Sequence, residues 1–375
     1  MTSEADRLYW VGFNLVKGIG AVRFRTLLDA FGDAQTAWQA STDDLRQAGL
    51  SQKIVENLLQ LRTQVSLEQV WERIQQHHVT ILTWDDEGFP RRLKDIDQPP
   101  PVLYVRGTLE EQDDWAVAVV GTRHVTAYGR QVTEEVSATL ARSGVTVVSG
   151  MARGVDTMAH QAALNAGGRT LAVLGCGVDV IYPPENRRLA VQIVEHGALI
   201  SDYPLGTAPE SQNFPPRNRI ISGISQAVVV VEAGVTSGSL ITASFAAEQG
   251  RDVFAVPGSI LAPQCQGTNR LIRDGAAPLL SPQDVLEALN LDMVTEHRAA
   301  RVALPTEPVE LQLYQVLGRE PMHVDDIRSQ ANLPIERVSA TLALMELKGT
   351  VRQLGGMFYV AVREQAADYQ AGADE

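Results

Sequence analysis

Hydrophobic and polar positions follow three different spacings along the chain. Over residues 8–75, apolar residues recur at helical intervals in short runs that glycine interrupts, which predicts amphipathic helices. Between 116 and 290, short valine-rich runs alternate with longer amphipathic segments, and after 305 helical intervals return. We therefore predict folded regions at residues 1–78, 79–290 and 305–362, a linker at 291–304 and a disordered tail at 363–375.

The middle region has the pattern of an α/β domain. Its valine-rich runs are short and continuous, as expected for a parallel sheet that helices cover on both faces. The predicted strands are Ala116–Val120, Val145–Ser149, Thr170–Leu174, Ala198–Ser201, Ala227–Val231 and Asp252–Val256. The predicted helices are Ala127–Arg142, Val155–Ala166, Arg187–His196 and Ser239–Gln249. This alternation indicates a Rossmann-like, doubly wound, mostly parallel sheet, and Val79–Thr83 and Val102–Val105 are predicted to add short strands at its edge.

Glycine and polar residues follow nearly every predicted strand. Ligands of doubly wound sheets bind beyond the carboxyl ends of the strands, so these turns are expected to lie at one rim. Backbone amides at glycine turns can approach an anion closely, and a helix that begins there adds its dipole. The candidate binding residues in these turns are Gly121, Thr122, Arg123, Gly150, Arg153, Gly154, Ser237, Gly238 and Ser239.

The stretch Asn213–Ile221, with the sequence NFPPRNRII, supplies the remaining candidates. Its two consecutive prolines stiffen the chain, because each fixes its own φ and restricts the residue before it, and we assign the stretch to no helix. Planar guanidinium groups suit phosphate, and an aromatic ring suits a base. The candidates here are Phe214, Arg217, Asn218 and Arg219. The arginines expected to meet at the rim are Arg123, Arg153, Arg217 and Arg219.

The bulk composition restricts the classes of protein that fit. With a formal charge of −13, any nucleic-acid site must be a local basic patch on an acidic protein. The two cysteines are too few for a disulfide framework or a zinc site. The first residues lack the pattern of a signal peptide, and no apolar run approaches the ~20 residues that cross a membrane, so we expect a soluble cytoplasmic protein. The rim carries neither Gly-x-Gly-x-x-Gly nor a Walker A sequence, so no cofactor is expected.

The C-terminal region has the element order of a winged helix-turn-helix. Helices are predicted at Val309–Leu317, Val324–Ala331 and Ile335–Lys348, followed by a hairpin over Val351–Val360. Across residues 305–375 there are 6 Lys/Arg against 11 Asp/Glu. Because phosphate neutralisation dominates DNA affinity, we expect this module to bind protein, or at most to make a weak contact with duplex DNA.

The N-terminal helices contain a pattern similar to a helix-hairpin-helix element. Val16–Gly20 forms a glycine hairpin ahead of a helix, and a weaker copy leads from Leu45–Gly49 into Gln52–Leu61. Such hairpins can present backbone N–H groups to a DNA phosphate, but helix hairpins used only for packing have the same pattern.

Six motifs of the middle region, in order, resemble the DNA-processing protein A (DprA, or Smf) family. They are Ala118–Arg123, Ser149–His160, Ala172–Asp179 with Tyr182-Pro183, Phe214–Gly223, Glu232 with Ser237–Ala243, and Pro257-Gly258 with Gly267–Asn269. The flanking regions also resemble family architectures, through less specific motifs.

This resemblance implies a protein of natural transformation that binds incoming single-stranded DNA, protects it and promotes loading of the RecA recombinase. It implies a homodimer without catalytic activity. It also places Arg123 in the DNA pocket, together with Arg153, where the family often has lysine, and with the Arg217-Asn218-Arg219 motif.

The residues leave several other uses open. An enzyme is the competing class, because nucleotide phosphoribohydrolases also combine a Rossmann-like sheet with a glycine-rich loop and a glutamate, here Glu232. Arg123 could instead pair with Asp156 or Glu232, and Arg219 could pair with Glu232. Core packing would account for Phe214 and His160, and helix capping would account for Ser237 and Ser239.

Overall fold

A computed structural model describes residues 4–289, 308–317, 322–347, 351–353 and 357–361. The chain forms two compact units, Met1–Val294 and Thr295–Glu375. The predicted linker at 291–304 and the predicted tail at 363–375 lie outside the described residues. The predicted division of the first unit at residue 78 stays a prediction.

The first unit begins with helices that pack around aromatic side chains. The helices are α1 (Glu4–Leu15), α2 (Ala21–Phe31), α3 (Ala34–Gln39), α4 (Thr42–Gln47), α5 (Gln52–Gln64) and α6 (Leu67–Gln76). The ring of Trp10 lies 4.7 Å from that of Phe24 and 5.2 Å from that of Trp84, in edge-on contacts. Both predicted hairpins turn at a glycine of positive φ, 101° at Gly18 and 93° at Gly49, which confirms tight turns there.

A sheet of nine strands follows, in the order β1-β2-β6-β5-β4-β3-β7-β8-β9. The strands are β1 (Thr80–Thr83), β2 (Val102–Gly107), β3 (Ala116–Val120), β4 (Thr146–Ser149), β5 (Thr170–Val173), β6 (Gly197–Ser201), β7 (Ala227–Val230), β8 (Asp252–Ala255) and β9 (Ala277–Pro278). Strands β3 to β9 are parallel to their neighbours, whereas β2 pairs antiparallel with β6 and β1 antiparallel with β2. The predicted mostly parallel sheet with added edge strands is confirmed.

Helices cover both faces of this sheet. They are α7 (Arg91–Lys94), α8 (Ala127–Arg142), α9 (Val155–Asn165), α10 (Arg187–His196), α11 (Phe214–Ile224), α12 (Ser239–Glu248), α13 (Gln266–Arg273) and α14 (Gln283–Ala288). Helices α7, α11 and α12 pack on one face, and α8, α9 and α14 pack on the other. The apolar core of the N-terminal helices continues onto that second face through Tyr104 and Leu199.

Helix α11 is an element that the hydrophobic pattern did not predict. It contains most of the Asn213–Ile221 stretch, and its two prolines lie in the first turn. Proline is tolerated there because the first N–H groups of a helix have no intrahelical partner. The stiff stretch is thus the start of a helix, which fixes the direction in which Arg217 and Arg219 leave the backbone.

The second unit has the predicted winged-helix order and a separate apolar core. Its elements are α15 (Pro308–Val316), β10 (Met322–His323), α16 (Val324–Ala331), α17 (Ile335–Leu347), β11 (Val351–Gln353) and β12 (Phe358–Ala361). The strands form a sheet in the order β10-β12-β11. Leu313, Ile327, Val338 and Leu342 are fully buried between the three helices.

Candidate functional site

The candidate site lies where the strand order of the sheet reverses. From β3 the chain adds β4, β5 and β6 on one side, and it then returns to add β7 and β8 on the other side of β3. Loops that leave adjacent parallel strands in opposite directions open a crevice at their carboxyl ends. In this chain the crevice opens between the loop after β3 and the loop after β7.

A cleft with a volume of about 660 Å³ fills this position, and we call it the switch-point cleft. Most of the predicted residues line it, namely Gly121, Thr122, Arg123, Phe214, Arg217, Asn218, Ser237, Gly238 and Ser239. Four predicted residues do not line it: Gly150, Arg153, Gly154 and Arg219. Three residues that were not predicted from the sequence also line it, namely His124, Tyr182 and Thr236.

Arg123 is the exposed cation of this cleft. Within the described residues it forms no ion pair, so neither Asp156 nor Glu232 holds it. Its guanidinium lies 5.8 Å from the centre of the Phe214 ring, within cation–π distance. A charged group that solvent reaches and no carboxylate neutralises can bind an anion at little desolvation cost.

Arg217, in contrast to Arg123, is buried, with only 4% of its surface exposed. One guanidinium nitrogen, Nη1, donates to the carbonyl of Gly150 at 2.7 Å and also to the carbonyl of Val173. Burial lowers the pKa of this guanidinium, and the nearby Asp156 carboxylate opposes that effect. Arg217 thus holds together the ends of two sheet strands beneath the cleft.

The glycine loop after β4 is closed by its own carboxylate. Asp156 Oδ2 accepts hydrogen bonds from the N–H groups of Gly150 and Ala152, each at 3.2 Å. A Cβ at Gly150 would lie 2.7 Å from Arg217 Nη1 and 2.8 Å from Asp156 Oδ2, so a side chain there would displace the pair. The expected approach of an anion to the Gly150 amide is therefore blocked from within the protein.

The two remaining arginines point away from the cleft. Arg219 pairs with Asp202 at 3.2 Å and donates to the carbonyl of Gln98, whereas the sequence had suggested Glu232 as its partner. Arg153 pairs with Glu185 at 2.5 Å at the protein surface. The expectation that four arginines meet at one rim is therefore met only by Arg123 and, from below, by Arg217.

Phe214 forms one wall of the cleft and is half-buried. Its ring centre lies 5.9 Å from that of Tyr182 and 5.8 Å from each of the Arg123 and Arg217 guanidinium carbons. A Cβ at Gly175 would come within 2.8 Å of the ring, so that glycine leaves room for it. The ring thus lies within cation–π distance of two guanidinium groups.

Glu232 anchors the loop that carries Arg123. It is 1% exposed, and its carboxylate accepts from both the N–H and the hydroxyl of Thr126, while its carbonyl accepts from the Thr122 N–H at 2.7 Å. A Cβ on Gly129 would collide with this carboxylate. Thr126 is a supporting residue that the sequence analysis missed, although its place as N-cap of α8 is a recognisable signal.

The opposite wall of the cleft is the beginning of α12. Ser237 Oγ and Ser239 Oγ lie 2.8 Å apart, and the Asn218 amide donates to the Gly238 carbonyl at 3.2 Å. The helix dipole favours negative charge at this end, although the N–H groups of Leu240 and Ile241 already donate to the carbonyls of Ser237 and Gly238. The cleft thus combines a cation, a ring and a helix start. Among the described residues, no cluster of side chains has the composition of a metal site, and no helix has the length and apolarity to cross a bilayer.

A doubly wound sheet with a cleft at its switch point that exposes an arginine, followed by a winged helix, is an architecture that suits nucleic-acid-associated proteins. The profile of the family described as DNA recombination-mediator protein A matches residues 80–290, and that of the DprA winged helix domain matches residues 296–357. The chain belongs to the DNA recombination-mediator protein A family, which confirms the resemblance drawn from its motifs.

Relatives match over long stretches. Protein Smf of Synechocystis sp. is 37% identical over an alignment of 394 residues, gaps included, and the alignment covers 95% of this chain and 99% of that protein. The DNA processing protein DprA of Streptococcus pneumoniae is 45% identical over 201 residues, covering 54% of this chain and 71% of that one. The solved structure of the Streptococcus pneumoniae protein has a TM-score of 0.67 at 33% identity, covering 76% of this chain and 98% of that chain.

A second similar solved structure concerns DNA binding by a relative. It presents the single-stranded DNA binding mode of DNA processing protein A from Helicobacter pylori. It matches with a TM-score of 0.52 and 31% identity, and it covers 58% of this chain and 98% of that chain.

Proposed function

We propose that this protein binds single-stranded DNA in the switch-point cleft. The observation that carries the proposal is Arg123, an exposed cation that no carboxylate of the described residues pairs with and that lies against the Phe214 ring at the edge of the sheet. The structure of the Helicobacter pylori relative, described as binding single-stranded DNA, supports the same ligand. A single strand offers both an accessible phosphate and an unstacked base, which duplex DNA does not.

Each part of the cleft has a role in this proposal. Arg123 binds a phosphate oxygen and the dipole of α12 favours a phosphate at its first turn, while Phe214 stacks on a base at a gain of about 1–3 kcal/mol. Arg217 positions Gly150 and Phe214 from below instead of binding phosphate. Binding is then tolerant of base identity and weakens with salt, because phosphate contacts release counterions.

The biological role that follows is that of a recombination mediator in natural transformation. We propose that the protein protects incoming single-stranded DNA, promotes RecA loading and acts as a homodimer. The acidic winged unit is proposed to contact protein, with at most a weak contact to duplex DNA. Membership of the DNA recombination-mediator protein A family supports this role.

We further propose that the protein is not an enzyme. A phosphoribohydrolase-like reaction would need Glu232 as an accessible carboxylate, but Glu232 is 1% exposed and bound to Thr126. His160 is also fully buried, with Nδ1 2.6 Å from the Thr170 hydroxyl. Incubation with nucleoside monophosphates should release no free base, and release of base at a rate that scales with protein concentration would favour the enzyme.

Fluorescence anisotropy with a labelled oligothymidine tests the binding proposal. The full chain is titrated at several salt concentrations, and a duplex and an oligodeoxycytidine of the same length serve as comparisons. We expect similar affinity for both single strands, weaker binding of the duplex, and an affinity that falls with salt. Equal binding of duplex and single strands would contradict the proposed ligand.

A further inference from the structure

A second depression adjoins the switch-point cleft, and we call it the side groove. It has a volume of about 390 Å³ and is lined by residues from the first turns of α8 and α9 and from the short turn Pro184–Asn186. Arg123 and His124 line both depressions, so the groove continues the cleft across the protein surface. A strand that leaves the cleft past Arg123 would enter it directly.

The side groove is strongly basic for a chain of net charge −13. Three guanidinium groups line it, those of Arg123, Arg130 and Arg153, against one carboxylate, that of Glu185. Arg130 is exposed on the first turn of α8 and, like Arg123, forms no ion pair within the described residues. Guanidinium groups arranged along a groove are the arrangement that follows a phosphodiester backbone.

The ion pair between Arg153 and Glu185 in the groove is readily exchangeable. Arg153 Nε lies 2.5 Å from Glu185 Oε1, and the two side chains are 54% and 51% exposed. A largely buried structural arginine of the same protein differs, because the Arg169 side chain is 14% exposed and binds two carboxylates. Exposed pairs gain little over hydration, so an incoming phosphate can replace Glu185 without leaving a buried charge behind.

We propose that the side groove is a second phosphate subsite, with Glu185 as its internal competitor and Arg130 as an additional DNA contact. In the free protein Arg153 pairs with Glu185, and in the complex a backbone phosphate replaces Glu185 as the partner of Arg153. The inference rests on the proposed binding of single-stranded DNA and extends it beyond the switch-point cleft. Glu185 then sets how tightly the protein holds a strand that is long enough to reach the groove.

Two charge-changing variants of the full chain test the subsite. Glu185→Gln should bind a labelled oligothymidine several-fold more tightly, with a salt slope steeper by up to ~0.7, because a phosphate no longer competes with a carboxylate. Arg130→Gln should bind more weakly, with a slope shallower by about 0.7 for the lost contact. Glu287→Gln on α14 and Arg142→Gln at the far end of α8 are matched controls, since both side chains are exposed and lie outside the groove.

Each outcome decides one point. If wild-type protein binds the strand but both variants match their controls, the subsite is refuted while the function of the cleft stands. Weaker binding by Glu185→Gln would also refute it, because Glu185 would then orient Arg153 instead of competing with DNA. Failure of the wild-type protein to bind single-stranded DNA would remove the proposed function and this inference together.

Discussion

Arg123 and Arg217 lie at the same distance from the Phe214 ring, but only one of them is exposed. Sequence patterns alone assign both to phosphate binding, so both alanine variants would be expected to weaken DNA binding in the same way. The structure separates their effects. Arg123→Ala should reduce DNA affinity and leave the fold intact, whereas Arg217→Met should reduce the stability of the fold.

The magnitude for Arg123 follows from its proposed contact with phosphate. A charge-assisted hydrogen bond contributes about 1.5–3 kcal/mol, which corresponds to roughly a ten- to hundredfold loss of affinity. Loss of one phosphate contact should also reduce the salt slope by about 0.7. The free energy of unfolding should stay within about 0.5 kcal/mol of wild type, because the side chain is exposed and pairs with no carboxylate in the described part of the chain.

For Arg217 the cost arises in the folded protein. Methionine would leave the Gly150 and Val173 carbonyls without their donor and the Asp156 carboxylate without its nearby positive charge. Breaking such a buried arrangement typically destabilises a protein by about 3–5 kcal/mol. Any loss of DNA affinity by Arg217→Met would then follow from disorder of the cleft wall.

The assay combines salt-dependent anisotropy on oligothymidine with urea unfolding, and Arg142→Ala serves as the exposed control. If Arg123→Ala kept both the affinity and the salt slope of wild type, the assignment of the site would be refuted. If Arg217→Met were as stable as wild type but had a salt slope shallower by about 0.7, the value for one lost phosphate contact, the structural role inferred for Arg217 would be wrong.

The remaining predictions concern the ring, the buried histidine and the anchored loop. Phe214→Leu should weaken single-strand binding by about 1–3 kcal/mol without changing the salt slope, and a changed slope would argue against stacking. Burial lowers the pKa of His160 to about 3, so His160 favours unfolding as pH falls from its ordinary 6.5 toward 3. Wild type should lose about 1.6 kcal/mol more than His160→Asn between pH 6.5 and 5 in urea unfolding, and parallel losses would contradict this. Gly129→Ala should displace the Glu232 carboxylate and reduce DNA affinity, whereas unchanged affinity would show that the loop of Arg123 is supported in another way.

The fold could be predicted largely because its physical signals are local. Buried parallel strands require continuous apolar runs, and the rim of the sheet requires turns after each run, so strands such as Ala116–Val120 and turns such as Gly121–Arg123 are recognisable in the sequence. Helix α11 could not be recognised, because two prolines that commonly end a helix are equally suited to its first turn. Pattern gives the existence of such a segment but not its backbone conformation.

The candidate site was predicted only in part, because burial of a charge is a tertiary property. Arg217 and Arg219 are two residues apart in a motif that looks uniformly basic, yet a helix sends them toward different partners, the Gly150 carbonyl and Asp202. The hydrogen bonds from the Gly150 and Ala152 N–H groups to the Asp156 carboxylate likewise could not be predicted, because they depend on how the loop before Asp156 folds.

The position of the Asp156 carboxylate has a consequence for how the proposed DNA strand binds and dissociates. Asp156 already accepts hydrogen bonds from the N–H groups of Gly150 and Ala152. These two amides are therefore not available to bind one compact, highly charged ligand. A polymer instead gains its affinity from modest contacts repeated along its length, in the manner of a multivalent ligand. Under the proposed function such contacts dissociate one at a time, so another protein can replace this one progressively along the strand.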